Sequence, residues 1–298
     1  MRKVGIIGGG NVGATCAYQL ASRSVADVAV YDIAEGVPAG KALDMTQVGP
    51  VLGFDARVTG SHDPAILAGS EVVVVTAGFP RKPGMDRMDL LKKNVEIARA
   101  SGEHIKRHAP KAVVIVVTNP LDVMTWVVQQ TTGFAPERVV GMAGLLDSAR
   151  FATFIAMELK CSPLDVRAMV LGGHGDTMVP LPELLSAEAI QRLSDRARNG
   201  GAEIVKLLGT GSAYYAPGAS ACAMVEAVLG DTNRLLACST WLSGQYGLKD
   251  IYLGVPIQLG AKGVTRLVEL KLDAAELTAL KASAASVAKG IAEVKSLA

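Results

Sequence analysis

The 298-residue sequence predicts an α/β protein: a doubly wound parallel sheet, followed by an α+β region with antiparallel strands. Three observations lead there. The first half alternates short, continuously apolar runs with helix-like stretches. A glycine motif sits at the turn between the first run and the first helix. Near Gly144 the patterning changes, and later apolar segments are joined by glycine-containing turns.

The apolar runs Val4–Ile7, Val28–Tyr31, Val72–Val75 and Ala112–Val117 read as strands, with helices over Val12–Ser22, Val37–Gln47 and Met88–His108 between them. Strands that are apolar at every position, not at every second one, are covered on both faces, which is the condition of a parallel sheet with helical crossovers. Half of the chain is apolar but only 4% is aromatic, so the core is built from Val, Ala, Leu and Gly, as such sheets require. In the second half, "DVRAMVLGGHGDTMVPLP" reads as a strand running into a glycine-rich turn. "GGAEIVKLLG" and "ASACAMVEAVLG" read as helices. "RLLACSTWLSGQYGLKDIYLGVPIQLG" reads as antiparallel strands, and the C-terminal stretch as a long helix capped by Asp273. The change of pattern divides the chain into residues 1–144 and 145–298.

With 30 basic and 28 acidic residues the net charge is +2, which gives no electrostatic footprint for nucleic acid or a membrane surface. No apolar run approaches the roughly 18 residues of a membrane span. Cys16, Cys161, Cys222 and Cys238 are far apart and form no CxxC, so they are expected as buried thiols of a cytoplasmic protein. Met142, Met157, Met169 and Met178 are expected as core filler. His104 and His108 lie four apart on one helix, but Lys106 and Arg107 beside them point to a solvated face and not a metal pair.

"GIIGGGNVG" places Gly8-x-Gly10-x-x-Gly13 directly after the first strand, and "VAVYDIAEG" places Asp32 at the end of the second. This is the context of a Rossmann-type dinucleotide site. Gly8 makes the tight turn, Gly10 lets backbone approach a pyrophosphate, and Gly13 lets helix and strand pack closely. The helix that opens at Asn11 and Val12 offers amide donors and the positive end of its dipole to phosphate. Asp32 suits the adenosine ribose hydroxyls and repels a 2′-phosphate, so the expected cofactor is NAD.

Four further stretches stand out: "FPRKPGMDR" (Arg81, Arg87), "VVTNPLDVMT" (Asn119), "GLLDSARF" (Asp147, Arg150) and "GGHGDTMVP" (His174). In this order, behind the nucleotide motif, they resemble the lactate/malate dehydrogenase family over nearly the whole chain, and most of all its bacterial and archaeal malate branch. The resemblance implies reversible hydride transfer between (S)-malate and oxaloacetate. It makes His174 the general acid/base, Asp147 its orienting carboxylate, Arg87 the cation that polarises the reacting carbonyl, and Arg150 the partner of the C1 carboxylate. It makes Arg81 the reader of the distal carboxylate, where lactate enzymes carry Gln. Asn119 would contact substrate and nicotinamide, and Asn94 and Val117 would contact the cofactor. It further implies a cis Asn119–Pro120 peptide, an arginine-bearing loop that closes on substrate, and a homo-oligomer, tetramer in preference to dimer. The chemistry agrees with these assignments. A proton donor that cycles near neutral pH suits His, a developing alkoxide needs a cation, and a planar carboxylate suits a guanidinium fork.

In one place the chain departs from the family: between Pro182 and "LLSAEAI" it is shorter by about a hairpin. The competing readings are an L-lactate or broader 2-hydroxy-acid dehydrogenase, an NAD-dependent glycosidase, and a non-catalytic NAD-binding protein. The second needs a metal set that the sequence does not offer near His174. The third gives no reason for His174, Asp147, Arg87 and Arg150 to occur together.

Overall fold

The structure is a computed structural model describing residues 1–79, 87–181 and 187–297; the side chains of residues 87, 181 and 187 are outside that description. The first half runs β1 (Lys3–Ile7), α1 (Asn11–Ser22), β2 (Asp27–Tyr31), α2 (Val37–Leu52), β3 (Val58–Ser61), β4 (Val72–Val75), α3 (Arg87–His108), β5 (Val113–Val116), α4 (Leu121–Thr132), β6 (Val139–Gly141) and α5 (Gly144–Leu159). Its six strands pair in parallel in the order 3-2-1-4-5-6, which puts the topological switch point between β1 and β4. The all-valine β4 is buried at every position, as is the VVIV of β5, because helices cover both faces. Helix α1 lies against β2 and against α8 (Tyr215–Leu229), and α3 against α4.

The second half adds β7 (Met169–Leu171), β8 (Val179–Leu181), α6 (Ala187–Arg198) and α7 (Gly200–Leu208) before α8. After it come β9 (Arg234–Ser243), β10 (Lys249–Gly260), β11 (Gly263–Leu267) and α9 (Ala274–Lys295). Strands β9, β10 and β11 are antiparallel to one another, as the sequence suggests, but they do not form a separate sheet. β9 joins the edge of β6 through Gly141 and Ser239, so one sheet of nine strands spans both halves. The β7–β8 ribbon leans on it through reciprocal backbone hydrogen bonds between Gly172 and Gly254. A Cβ on Gly254 would collide with the Gly172 carbonyl oxygen, so glycine is what allows this approach. A second, smaller core of Phe151, Ile155, Val170, Met178, Leu193 and Ala197 fixes α5 against α6 and the ribbon.

Asp273 caps α9 as expected: its carboxylate accepts from the Glu276 N–H, and Glu276 reciprocates. Several expectations need correction. α2 runs on to Leu52, past the expected end at Gln47. β3, β6 and α4 were not legible, two of them being short strands and the third starting behind a proline. Met157 is 60% exposed near the end of α5, and Cys161 is exposed just beyond the Lys160 cap, because both lie where that helix leaves the core. His104 is not simply solvated; its ring meets Tyr31 edge-on, with Nε2 3.4 Å from the phenol oxygen.

Candidate active site

The nucleotide-binding turn forms as its glycines require. Gly8 has φ of +106°, and a Cβ there would meet the Ala77 nitrogen at 2.6 Å. A Cβ on Gly13 would strike the Gly8 carbonyl oxygen, so α1 and the turn pack as closely as the motif demands. A Cβ on Gly10 would meet nothing within 4 Å, so the face toward which the turn opens is clear. Gly10 is the N-cap of α1 and supplies no side-chain cap, which leaves the first amides, at Asn11, Val12 and Gly13, to an anion. Asp32 holds its place by accepting from the Gly9 N–H at 2.6 Å and the Ala34 N–H at 2.9 Å. Lys41, which the sequence reading passed over inside "GKALDM", donates to the Gly9 carbonyl at 2.6 Å and braces the same turn from α2. These residues fit a dinucleotide carrying an unsubstituted ribose.

The candidate catalytic groups come from different elements. His174 stands in the glycine-rich turn after β7, and Asp147 and Arg150 stand one turn apart on α5. His174 Nδ1 is 2.8 Å from Asp147 Oδ2, and the two side chains are 14% and 2% exposed. Arg150 reaches Asp147 Oδ1 only at 3.5 Å, and its buried Nε has no hydrogen-bond partner among the described residues. Both side chains of this i,i+3 pair are largely buried, at 15% and 2% exposure, so it is no surface ion pair. The aspartate is committed to the histidine, and the guanidinium keeps donors for a ligand. The N-terminus of α7 lies over Arg150, where a Cβ on Gly200 would stand 3.4 Å from its Cδ.

Burial by itself would lower the His174 pKa. The charge and hydrogen bond of Asp147 outweigh burial, Arg150 opposes, Asp122 adds a smaller upward push, and the net shift is above the ordinary 6.5. Burial also lowers the Arg150 pKa, with Asp147 pulling the other way.

His174 borders a cavity of about 360 Å³ whose walls include Leu91, Pro120, Asp122, Thr177 and Glu293. Asn119 opens this region through a cis peptide to Pro120. Asn94 is 3% exposed and spends its side chain on backbone, accepting from the Phe79 N–H at 2.6 Å and donating to the Asn119 carbonyl at 2.8 Å. It therefore acts on the site through Asn119. Val117 stands at the end of β5, nearly buried. Arg81 and the side chain of Arg87 lie outside the described residues, as does the shorter segment after Pro182. Asp122, three residues after Asn119, is a site residue that the sequence reading missed. Its only signal was a carboxylate placed at the start of an apolar helix.

The comparisons agree with this geometry. Residues 2–141 match the family described as lactate/malate dehydrogenase, NAD binding domain, and residues 145–298 match its alpha/beta C-terminal domain. A malate dehydrogenase of Thermomicrobium roseum is 54% identical over 307 aligned positions, covering 99% of each chain. The alignment is longer than the 298 residues of this chain, so that relative carries residues that this one lacks. Among solved structures, the malate dehydrogenase of Salinibacter ruber superposes with a TM-score of 0.95 at 46% identity, covering 99% of this chain and 98% of that one. The lactate dehydrogenase of Cryptosporidium parvum, complexed with lactic acid and nicotinamide adenine dinucleotide, superposes with a TM-score of 0.93 at 40% identity, covering 97% and 96%. With its dinucleotide turn, its buried His–Asp pair and these full-length relatives, the chain belongs to the lactate/malate dehydrogenase family and is an NAD-dependent oxidoreductase.

Proposed function

We propose that the protein is a malate dehydrogenase, interconverting (S)-malate and oxaloacetate, with His174 as general acid/base. The observation that carries the catalytic assignment is the buried His174–Asp147 pair beside an arginine with an unpartnered Nε. Residues 1–144 hold the dinucleotide, and residues 145–298 supply His174, Asp147 and Arg150. NAD, when bound, supplies the hydride chemistry at its nicotinamide ring. The protein's part is to hold the substrate and move one proton. Arg150 grips the C1 carboxylate through its free donors. In reduction, His174 as imidazolium gives its Nε2 proton to the carbonyl oxygen, while Asp147 compensates the imidazolium at Nδ1. In oxidation the neutral ring takes that proton back. Arg87 offsets charge on the reacting oxygen.

Substrate choice rests on Arg81. Oxaloacetate carries a second carboxylate and pyruvate does not. With pyruvate, closure would leave the Arg81 guanidinium desolvated and unpaired. The malate reading is further supported by the 54% identity to the Thermomicrobium enzyme. The alternative, a lactate or broader 2-hydroxy-acid dehydrogenase, finds support in less identical solved structures such as the Cryptosporidium lactate dehydrogenase, at 40%. The test is NADH oxidation with oxaloacetate and with pyruvate. A kcat/KM for oxaloacetate at least a thousandfold higher is expected, and comparable values would overturn the malate reading.

We place the enzyme in the cytoplasm; among the described residues no helix is long and apolar enough to cross a membrane. We also propose a homotetramer. α2 presents Leu43, Val51 and Leu52 at 61%, 80% and 56% exposure, apolar surface suited to a two-fold contact. A dimeric or monomeric mass at micromolar concentration would refute the tetramer.

A further inference from the structure

At the backbone of His174 the structure holds a second carboxylate. Asp122 is 4% exposed in the first turn of α4, where the helix end favours an anion. Its Oδ2 accepts the backbone N–H of His174 at 3.0 Å. Its Oδ1 accepts the hydroxyl of Ser239, a fully buried residue of β9, at 2.6 Å. One residue earlier in the same turn, the Gly173 N–H donates to Ser283 Oγ of α9 at 2.7 Å, and that hydroxyl donates to Thr177 Oγ1 at 3.1 Å. Helix α4, strand β9 and helix α9 thus grip two consecutive amides of a turn whose glycines, Gly172 and Gly175, have φ of +85° and +98°. A turn so rich in glycine has little stiffness of its own.

We infer that Asp122 is a positioning residue for His174: it fixes the backbone of the histidine turn through the His174 N–H and ties that turn to β9 through Ser239. This rests on the reading of His174 as the proton donor. Two features argue that the carboxylate serves more than packing. Leaving a buried charge in place costs free energy that an amide of the same shape would avoid, since Asn would still accept the His174 N–H through its oxygen and meet the Ser239 hydroxyl as a donor through its amide nitrogen. Its charge also acts on the imidazole itself, adding to the upward push of Asp147. Burial raises the Asp122 pKa, and the hydrogen bonds from Ser239 and His174 hold it down in part. The other charged groups facing His174 are Asp147 and Arg150 from α5, Glu293 from α9 across the cavity, and Asp176 on the turn itself.

The test uses the intact enzyme and four variants. Asp122→Ala removes the acceptor, and kcat for oxaloacetate reduction should fall about tenfold to a hundredfold, the loss expected when a catalytic group is displaced by about an ångström. NADH affinity, read by fluorescence titration, should stay at the wild-type value. Asp122→Asn should recover most of that kcat, because its oxygen still accepts the His174 N–H and its amide nitrogen can donate to the Ser239 hydroxyl. At the same time it should move the His174 titration, followed by NMR of the imidazole resonances, to lower pH, a shift that a purely structural role would not produce. If Asp122→Ala does not fold, Ser239→Ala tests the same tie with a milder loss of kcat. Wild-type kcat per folded site in Asp122→Ala, or in Ser239→Ala should the first not fold, would overturn the inference, as would an unmoved His174 titration in Asp122→Asn. A His174→Gln control separates the two readings: if it keeps turnover, the assignment of His174 has failed, and if it is inactive while Asp122→Ala is fully active, only the role of Asp122 has.

Discussion

Replacing Asp147 with Asn tests the electrostatic core of the mechanism. Asn fills the same space and can still accept from His174 Nδ1 through its amide oxygen, so the substitution removes charge more than contact. Three influences then remain on the ring: burial and Arg150, which depress the imidazole pKa, and Asp122, which raises it. A hydrogen bond to a charged group is worth about 1.5–3 kcal/mol against about 1 for a neutral one, so roughly 1–2 kcal/mol of imidazolium stabilisation is lost and the ring gives up its proton at lower pH. Reduction needs imidazolium. Above the pKa, each unit of downward shift removes about nine-tenths of that form, so oxaloacetate reduction should fall about tenfold on the alkaline side and recover toward wild type on acidification. Oxidation of malate needs the neutral ring, so its acid limb should move to lower pH. The assay is the rate of NADH appearance or loss across pH in both directions. Stability carries the same sign. Folding raises the His174 pKa, so the stabilisation by the pair is complete below the unfolded value near 6.5 and fades as pH rises through the folded value. Melting temperatures of wild type and Asp147→Asn should therefore differ most on the acid side and converge with rising pH. An alkaline limb that stays where it is in wild type would refute the argument.

Three other outcomes are expected. His174→Asn should lower kcat by about 10²–10⁴-fold with NADH binding intact, since the ring moves a proton and holds no part of the adenosine; near-normal turnover would remove it from the mechanism. Arg81→Gln should shift the ratio of kcat/KM for oxaloacetate over pyruvate toward pyruvate by at least about 10–100-fold, the worth of one charge-assisted hydrogen bond, and an unchanged ratio would mean that Arg81 does not read the substrate. Asp32→Ser should raise the KM for NADH about tenfold or more and lower that for NADPH, because it removes the ribose acceptor and the repulsion of a 2′-phosphate together; unchanged cofactor preference would count against that role.

Much of the fold was legible because its signals are local. Continuous apolar runs, glycines at the first turn and a capping Asp each act within a few residues, so β1, β2, β4, β5, α1, α3 and α9 could be read directly. β3 and β6, with four and three residues, carry too little pattern of their own, and α4 begins behind Pro120, where a proline reads as a stop. The dinucleotide part of the candidate site was legible in the same way, from the glycine motif and Asp32, whereas His174, Asp147 and Arg150 were picked out by the family resemblance that their stretches carry together.

What the sequence by itself determined, then, is the parallel sheet, the dinucleotide turn and the identity of the chemical groups, all set by periodicity and by backbone conformations that only certain residues allow. Only the tertiary structure decided how those groups work together. It joined β9 to β6, making one sheet of both halves. It gave Asp147 its short hydrogen bond to a histidine 27 residues away and left only a 3.5 Å ion pair to the arginine three residues on. It turned Asp122, an unremarkable acid in the sequence, into the holder of the His174 amide. Such contacts join residues far apart in the chain, and their energies depend on distance, desolvation and competing charges, which exist only once the chain has folded.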